Sequence, residues 1–411
     1  MKNMNRIHFI NKIMACDIML FGAAERTRQF YGRHKRVLNI VSCISNNEKE
    51  LKCTFDDGSY LPVIRPSYAF AEKKNNVYII ICVDNDAEIE KQLMSYGMTA
   101  GDHFIHYELF DLLMTNKKIA ILYGVCYMRP ICGCLKKSSE FSREYEVFYW
   151  LSYRKMTEVE YGIFLCLLKI CDLYIYNPSI SRHERALEEA YLSNLPDRCM
   201  RVKLPSVGAE AYHPQAIKPE HAERRYNVVE AQSAYGPFTC QDWYINQMID
   251  EGKKLAEIKK TIKDENFLAP DYVRENYEVQ IRMVELQESA SDIKICDYLI
   301  NNHKRKRLFL DGSHIANAPI CEIANRLLDR LGYAPVEYAE EMDAVLIYAS
   351  EVPIYPSVTK GLQLSVYETE EPIYNLFTFR GYQKVTFDEY IEQYYDYCTH
   401  IKSYMERGYF L

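Results

Sequence analysis

Two short segments of this 411-residue sequence carry side chains able to move an acyl group. The first is the apolar run Ile119-Ala120-Ile121-Leu122-Tyr123, which ends in Gly124-Val125-Cys126 and leads into a helix-like stretch through Ile131 and Leu135. That pattern sets a thiol at a strand-to-helix turn, where helix N–H groups favour a thiolate and hold an oxyanion. The second is Leu308-Phe309-Leu310-Asp311-Gly312-Ser313-His314. An acid three residues before a histidine can orient the imidazole and stabilise its charged form. Cys126 is thus the candidate nucleophile, His314 the base and Asp311 the orienting acid. Most of the 14 cysteines fall in apolar runs such as Ile79-Ile80-Ile81-Cys82, where a reduced thiol is a small hydrophobe. The pairing with His314 is what singles out Cys126.

Elements able to position these groups follow from the patterning. The length suggests two domains, a small one over 1–116 and a larger one over 117–411, with the boundary at Asn116-Lys117-Lys118. The first alternates strands (17–21, 37–42, 77–83) and helices (25–34, 88–96), the pattern of a small parallel α/β unit. Gly22 opens what would be a dinucleotide fingerprint, but Ala24 and Thr27 stand where further glycines belong, which argues against NAD. Gly22, Asn46 and Asp84 at the strand ends form the candidate ligand loop there. Beyond residue 117 the apolar spacing is mostly helical, with short strands at 119–123, 173–176, 308–310 and 344–348. The fold expected is therefore α/β, a small Rossmann-like parallel-sheet domain followed by a larger, helix-rich α/β domain.

Composition narrows the function. Lys plus Arg number 50 against 57 Asp plus Glu, a net charge of −7 that forces no basic face for nucleic acid. No run of about twenty apolar residues spans a membrane. The N-terminal apolar stretch is broken by Asn11, Lys12 and Asp17, so no secretion signal is expected, and reduced cysteines fit a cytoplasmic protein. No metal is expected.

Gly-x-nucleophile early and Asp-x-x-His late resembles the chain order of the SGNH hydrolase and acyltransferase superfamily. The resemblance implies an oxyanion hole from Gly124 and from Asn177, which ends the run Asp172-Leu173-Tyr174-Ile175-Tyr176-Asn177-Pro178. From about Lys118 onward the chain more specifically resembles the WcbI-type polysaccharide biosynthesis acetyltransferases. The residues carrying this are Gly124-Val125-Cys126-Tyr127, Asp172 to Pro178, Leu204-Pro205 followed by Tyr212-His213-Pro214, the Glu288, Asp292, Asp297 spacing, Ser313-His314-Ile315 and Tyr355-Pro356-Ser357-Val358. It implies acetyl transfer from coenzyme A to a sugar hydroxyl of a capsular or surface-polysaccharide precursor, which could be nucleotide-linked. Coenzyme A phosphates need cations, and Lys304, Arg305 and Arg307 in the run His303-Lys304-Arg305-Lys306-Arg307, or Arg182 and His183, could supply them. The N-terminal unit resembles the Rossmann-like domains of sugar-modifying enzymes, which implies either a nucleotide-sugar site or a packing or dimerising role, and a homo-oligomer is one expectation. Two other functions fit the same residues: a carbohydrate esterase transferring to water, and a non-catalytic nucleotide-sugar-binding scaffold.

Overall fold

The computed structural model describes residues 6–70, 76–83, 86–114, 117–154, 156, 158–177, 182–208, 210–216, 238, 241–337, 350–365, 372–378 and 381–406. Two sheets organise it. The first contains β1 (Asp17–Phe21), β2 (Ile40–Ile44), β3 (Lys52–Thr54), β4 (Tyr60–Ile64), β5 (Val77–Ile81) and β6 (Phe104–His106), in the order β3-β4-β2-β1-β5-β6. All pairs are parallel except β3 with β4. Setting aside the antiparallel edge strand β3, this is the doubly wound order of Rossmann folds, with its switch point between β1 and β5. β1 and β5 are near-continuous apolar runs because helices cover both of their faces.

The second sheet contains β7 (Lys118–Gly124), β8 (Tyr145–Leu151), β9 (Leu173–Tyr176) and β10 (Met200–Lys203), all parallel, in the order β10-β9-β7-β8. Strand order reverses at β7, so the crevice outside the carboxyl ends of β7 and β9 is where such a sheet presents a site. Asp172 aligns the two strands at their other end, accepting from the Ile119 amide at 3.0 Å.

Side chains of β7 alternate between two apolar clusters, as strand geometry requires. Ala120 and Leu122 point into one with the helices Met128–Lys137 and Asn317–Arg330, while Ile119, Ile121 and Tyr123 point into the other. That second cluster also holds Ile18, Leu20, Tyr78 and Ile80 of the first sheet and Phe164, Leu167 and Leu168 of the helix Glu158–Ile170. One core therefore runs across the boundary expected after residue 116. A hairpin of β11 (Tyr374–Thr378) and β12 (Gly381–Val385) and the helix Phe387–Glu406 close the first cluster.

One sequence expectation changes. The run 308–310 is not a strand of either sheet: Phe309 makes a single antiparallel bridge to Ile315, and the Leu310 amide donates to the His314 carbonyl at 2.8 Å. Its apolar residues are buried by helix packing, and Asp311 turns the chain. The strand expected at 344–348 lies outside the described residues. Among the described residues no helix is long and apolar enough to cross a membrane.

Candidate active site

The turn after β7 is built by close approach. A Cβ on Gly124 would lie 2.8 Å from both Asn177 Oδ1 and Met128 Cε, so only glycine lets the end of β7 meet the residue that follows β9. The Ser152 amide donates to the Gly124 carbonyl at 2.7 Å and the Asn177 amide to the Tyr123 carbonyl at 3.2 Å. The loops after β8 and β9 thus hold the turn from both sides.

Buried Asn177 braces this turn through its side chain. Its Oδ1 accepts from the Val125 amide at 3.4 Å, and its Nδ2 donates to the Pro205 carbonyl at 3.0 Å and to the Tyr127 hydroxyl. The Tyr127 hydroxyl in turn donates to the Pro205 carbonyl. The Asn177 amide hydrogens are therefore engaged by Pro205 in the loop after β10 and by Tyr127. Cys126 is half-buried between these anchors, two residues before the helix Met128–Lys137, whose dipole is positive at that end. Beside it stand Tyr153, 64% exposed, and the exposed Arg129.

The base comes from the Asp311 turn. Asp311 is completely buried, and its Oδ1 accepts from the Ser313 and His314 amides at 2.6 and 2.8 Å. His314 Nδ1 lies 2.9 Å from Asp311 Oδ2 and 3.1 Å from Oδ1. Cys126 lies near enough to His314 to act on its charge. Burial opposes charge on His314, but hydrogen bonds and charge from Asp311 and Cys126 outweigh it, so its pKa is pushed up to about 10. Burial likewise opposes charge on Asp311, and the His314 contacts with the Ser313 amide overcome it to hold the carboxyl below its usual value. Cys126, His314 and Asp311 are thus brought near one another beyond the carboxyl end of β7.

His213 sits close behind it. It is fully buried, neither ring nitrogen has a hydrogen-bond partner, and burial pushes its pKa down to about 3 against the pull of nearby Asp311. Its imidazole is neutral there.

Other candidate residues are placed elsewhere. Arg307 is engaged by Glu351 at 3.0 Å, with its guanidinium 5.3 Å from the Tyr374 ring centre, so it ties the Asp311 turn to the β11–β12 hairpin instead of facing solvent. Lys304 donates to Gln363 Oε1 at 2.7 Å on the surface, and Arg305 is exposed. Arg182 and His183 begin the helix Arg182–Asn194, and their side chains lie outside the described residues. In the first sheet, Gly22 has φ 127°, and a Cβ there would lie 2.9 Å from Val83 Cγ1 and 3.1 Å from the Cys82 carbonyl. Asn46 is paired with Gln92 through both amide groups, at 2.9 and 3.0 Å. Asp84 lies outside the described residues. The acids of the Glu288, Asp292, Asp297 spacing hold the fold: Glu288 accepts from the Ile295 and Cys296 amides, Asp292 from the Lys203 amide, and Asp297 pairs with Arg326. Among the described residues no group of three or more His, Cys, Asp or Glu is placed to hold a metal ion.

The family model of the polysaccharide biosynthesis enzyme WcbI matches residues 119–336, more than half of the chain and the whole span from β7 through the Asp311 turn. The chain belongs to the WcbI family. A solved structure of WcbI, described as a novel polysaccharide biosynthesis enzyme in its native form without a disulfide bond between coenzyme A and a cysteine, has the same fold. It is 16% identical, with a TM-score of 0.54 over 69% of this chain and 90% of that one. A search of curated proteins finds no match. This WcbI-family chain is accordingly a polysaccharide biosynthesis enzyme of mixed α/β fold. Tyr127, Pro205, His213 and Tyr153 were not marked as site residues in the sequence. Tyr127, Pro205 and His213 carry a signal only as parts of family segments.

Proposed function

We propose that this enzyme transfers an acetyl group from coenzyme A to a sugar hydroxyl of a capsular or surface-polysaccharide precursor. The observation that carries the reading is the buried Asp311–His314 hydrogen bond set beside Cys126 at the switch point of the second sheet. Coenzyme A as donor is supported by the solved WcbI structure, whose description pairs it with a cysteine.

Two routes begin from these residues: acyl transfer through Cys126, or direct deprotonation of the sugar by His314. The raised His314 pKa favours the first, because an imidazolium cannot accept a proton but does stabilise negative sulfur. In that route the Cys126 sulfur attacks the thioester carbonyl. The coenzyme A sulfur leaves and takes the His314 proton, which leaves an acyl-Cys126 and a neutral imidazole. That imidazole then accepts the proton of the sugar hydroxyl as its oxygen attacks the acyl carbon, and Cys126 departs as thiolate beside the reformed imidazolium. Asp311 holds the ring throughout. The positive end of the Met128–Lys137 helix dipole favours negative charge developing near its start. The exposed Tyr153 ring offers the sugar an apolar face, and Arg129 beside it offers a cation to a phosphate.

The test is incubation with acetyl-coenzyme A, followed by intact and peptide mass spectrometry. One acetyl group should appear on Cys126, disappear on adding acceptor sugar, and be absent in Cys126→Ala. An enzyme that acetylates sugar normally as Cys126→Ala overturns the covalent route, and acetate release with no transfer makes it an esterase.

A further inference from the structure

The helix Pro270–Glu288 has 19 residues and is amphipathic twice over. Val273, Ile281 and Val284 are buried against the body of the protein. On the opposite, solvent side Tyr272, Val279, Met283 and Leu286 are 41%, 47%, 48% and 67% exposed. At about 100° per residue these four fall within an arc of about 60°, a single stripe with Tyr272, Val279 and Leu286 at heptad spacing. Scattered apolar residues on a surface mean little, but a continuous stripe along a helix is the form of a packing seam.

The charges beside the stripe choose its occupant. One flank carries Glu275 and Arg282, both exposed, with Arg282 3.2 Å from Glu278 one turn back, and the other carries Asn276, Gln280 and Gln287. If two such helices pack antiparallel about a two-fold axis at Val279, Tyr272 meets Leu286 of the other copy. The charged flanks then face each other, with Glu275 opposite Arg282 in both directions. In a parallel pair the charged flank would face the amide flank, with no charge complement. An anionic bilayer would meet Glu275, Glu278 and Glu285 along the same edge.

We propose that this stripe is a homodimer interface, in which the Pro270–Glu288 helices of two copies pack antiparallel about Val279. The surface is isologous, so the same patch serves both subunits and the assembly closes at two. Its occupancy does not depend on the acyl-transfer reading.

Sedimentation velocity of the full chain, from about 1 to about 100 µM, tests it at the affinities open to an interface smaller than the roughly 800 Å² per partner of standard complexes. A monomer–dimer equilibrium is expected, and Val279→Lys or Leu286→Lys should weaken it by at least about tenfold while leaving the melting temperature unchanged. Glu275→Arg should weaken it too, and the double variant Glu275→Arg/Arg282→Glu should restore it. A wild type that stays monomeric throughout overturns the proposal. So does a dimer indifferent to the stripe substitutions, or one that the charge exchange fails to rescue. A monomer that instead binds phosphatidylcholine vesicles through Val279 and Leu286 overturns it in favour of a membrane face.

Discussion

Replacing Asp311 by Asn alters one buried oxygen in the array and leaves its shape unchanged. The Asn Oδ1 can still accept from the Ser313 and His314 amides, so the turn and the fold should survive. Where Oδ2 stood, 2.9 Å from His314 Nδ1, an amide now donates, so Nδ1 must accept and the ring proton moves to Nε2. That tautomer cannot take a proton from Cys126, and comparable substitutions in catalytic triads lower kcat by about 10⁴-fold. The electrostatic loss can be sized as well. Raising His314 from 6.5 to about 10 corresponds, at about 1.4 kcal/mol per pH unit, to at most about 5 kcal/mol favouring the imidazolium. Asp311 and Cys126 share this. Because the folded pKa is raised, the stabilisation is full below pH 6.5 and is lost as pH climbs through about 10. Asp311→Asn should therefore lower acetyl transfer by about 10²- to 10⁴-fold, shift the alkaline limb of the pH profile downward, and flatten stability between pH 6.5 and 10. Steady-state transfer assays against pH, with chemical denaturation at each pH, measure all three. Activity within about threefold of wild type and an unmoved profile would refute the assigned roles.

Three further outcomes test the surroundings. Gly124→Ala should cost about 1–3 kcal/mol in thermal unfolding and lower kcat, since the new methyl sits 2.8 Å from Asn177 and Met128 at the nucleophile turn. Tyr127→Phe removes a hydroxyl bonded to Asn177 and Pro205 and should cost about 1–2 kcal/mol, read by urea denaturation, with the Pro205 carbonyl still held by Asn177. Buried Asp242 has its pKa raised to about 6 by desolvation, so wild-type stability falls as pH rises from 3.8 through 6. Asp242→Asn lacks that titration, and melting curves across this interval should show the variant gaining on wild type.

The sequence showed what is local. β1 and the helix Glu25–His34 sit at the residues their patterning indicated, because an apolar run, a turn glycine and an amphipathic run lie side by side. β7 and β9 were legible for the same reason. Asp311 and His314 were legible as a pair because three residues separate them, although the segment before them is a turn and not a strand. The aromatic strand β8, Tyr145–Leu151, was missed even though its composition suits a strand, and the short strands β6 and β10 offered little pattern. Partners distant in sequence were not readable at all. Glu351, which engages Arg307, and Pro205, whose carbonyl takes the Asn177 amide, both lie far along the chain from the residues they hold.

Beyond Lys118, β7 presents no side to water, since its residues alternate between a core shared with the first sheet and one shared with the C-terminal helices. The strand that aims Cys126 is thus clamped like a keystone, with thrust from both sides. A recombinant fragment beginning at residue 117 would lose the first-sheet residues Ile18, Leu20, Tyr78 and Ile80 from the cluster that holds Ile119, Ile121 and Tyr123.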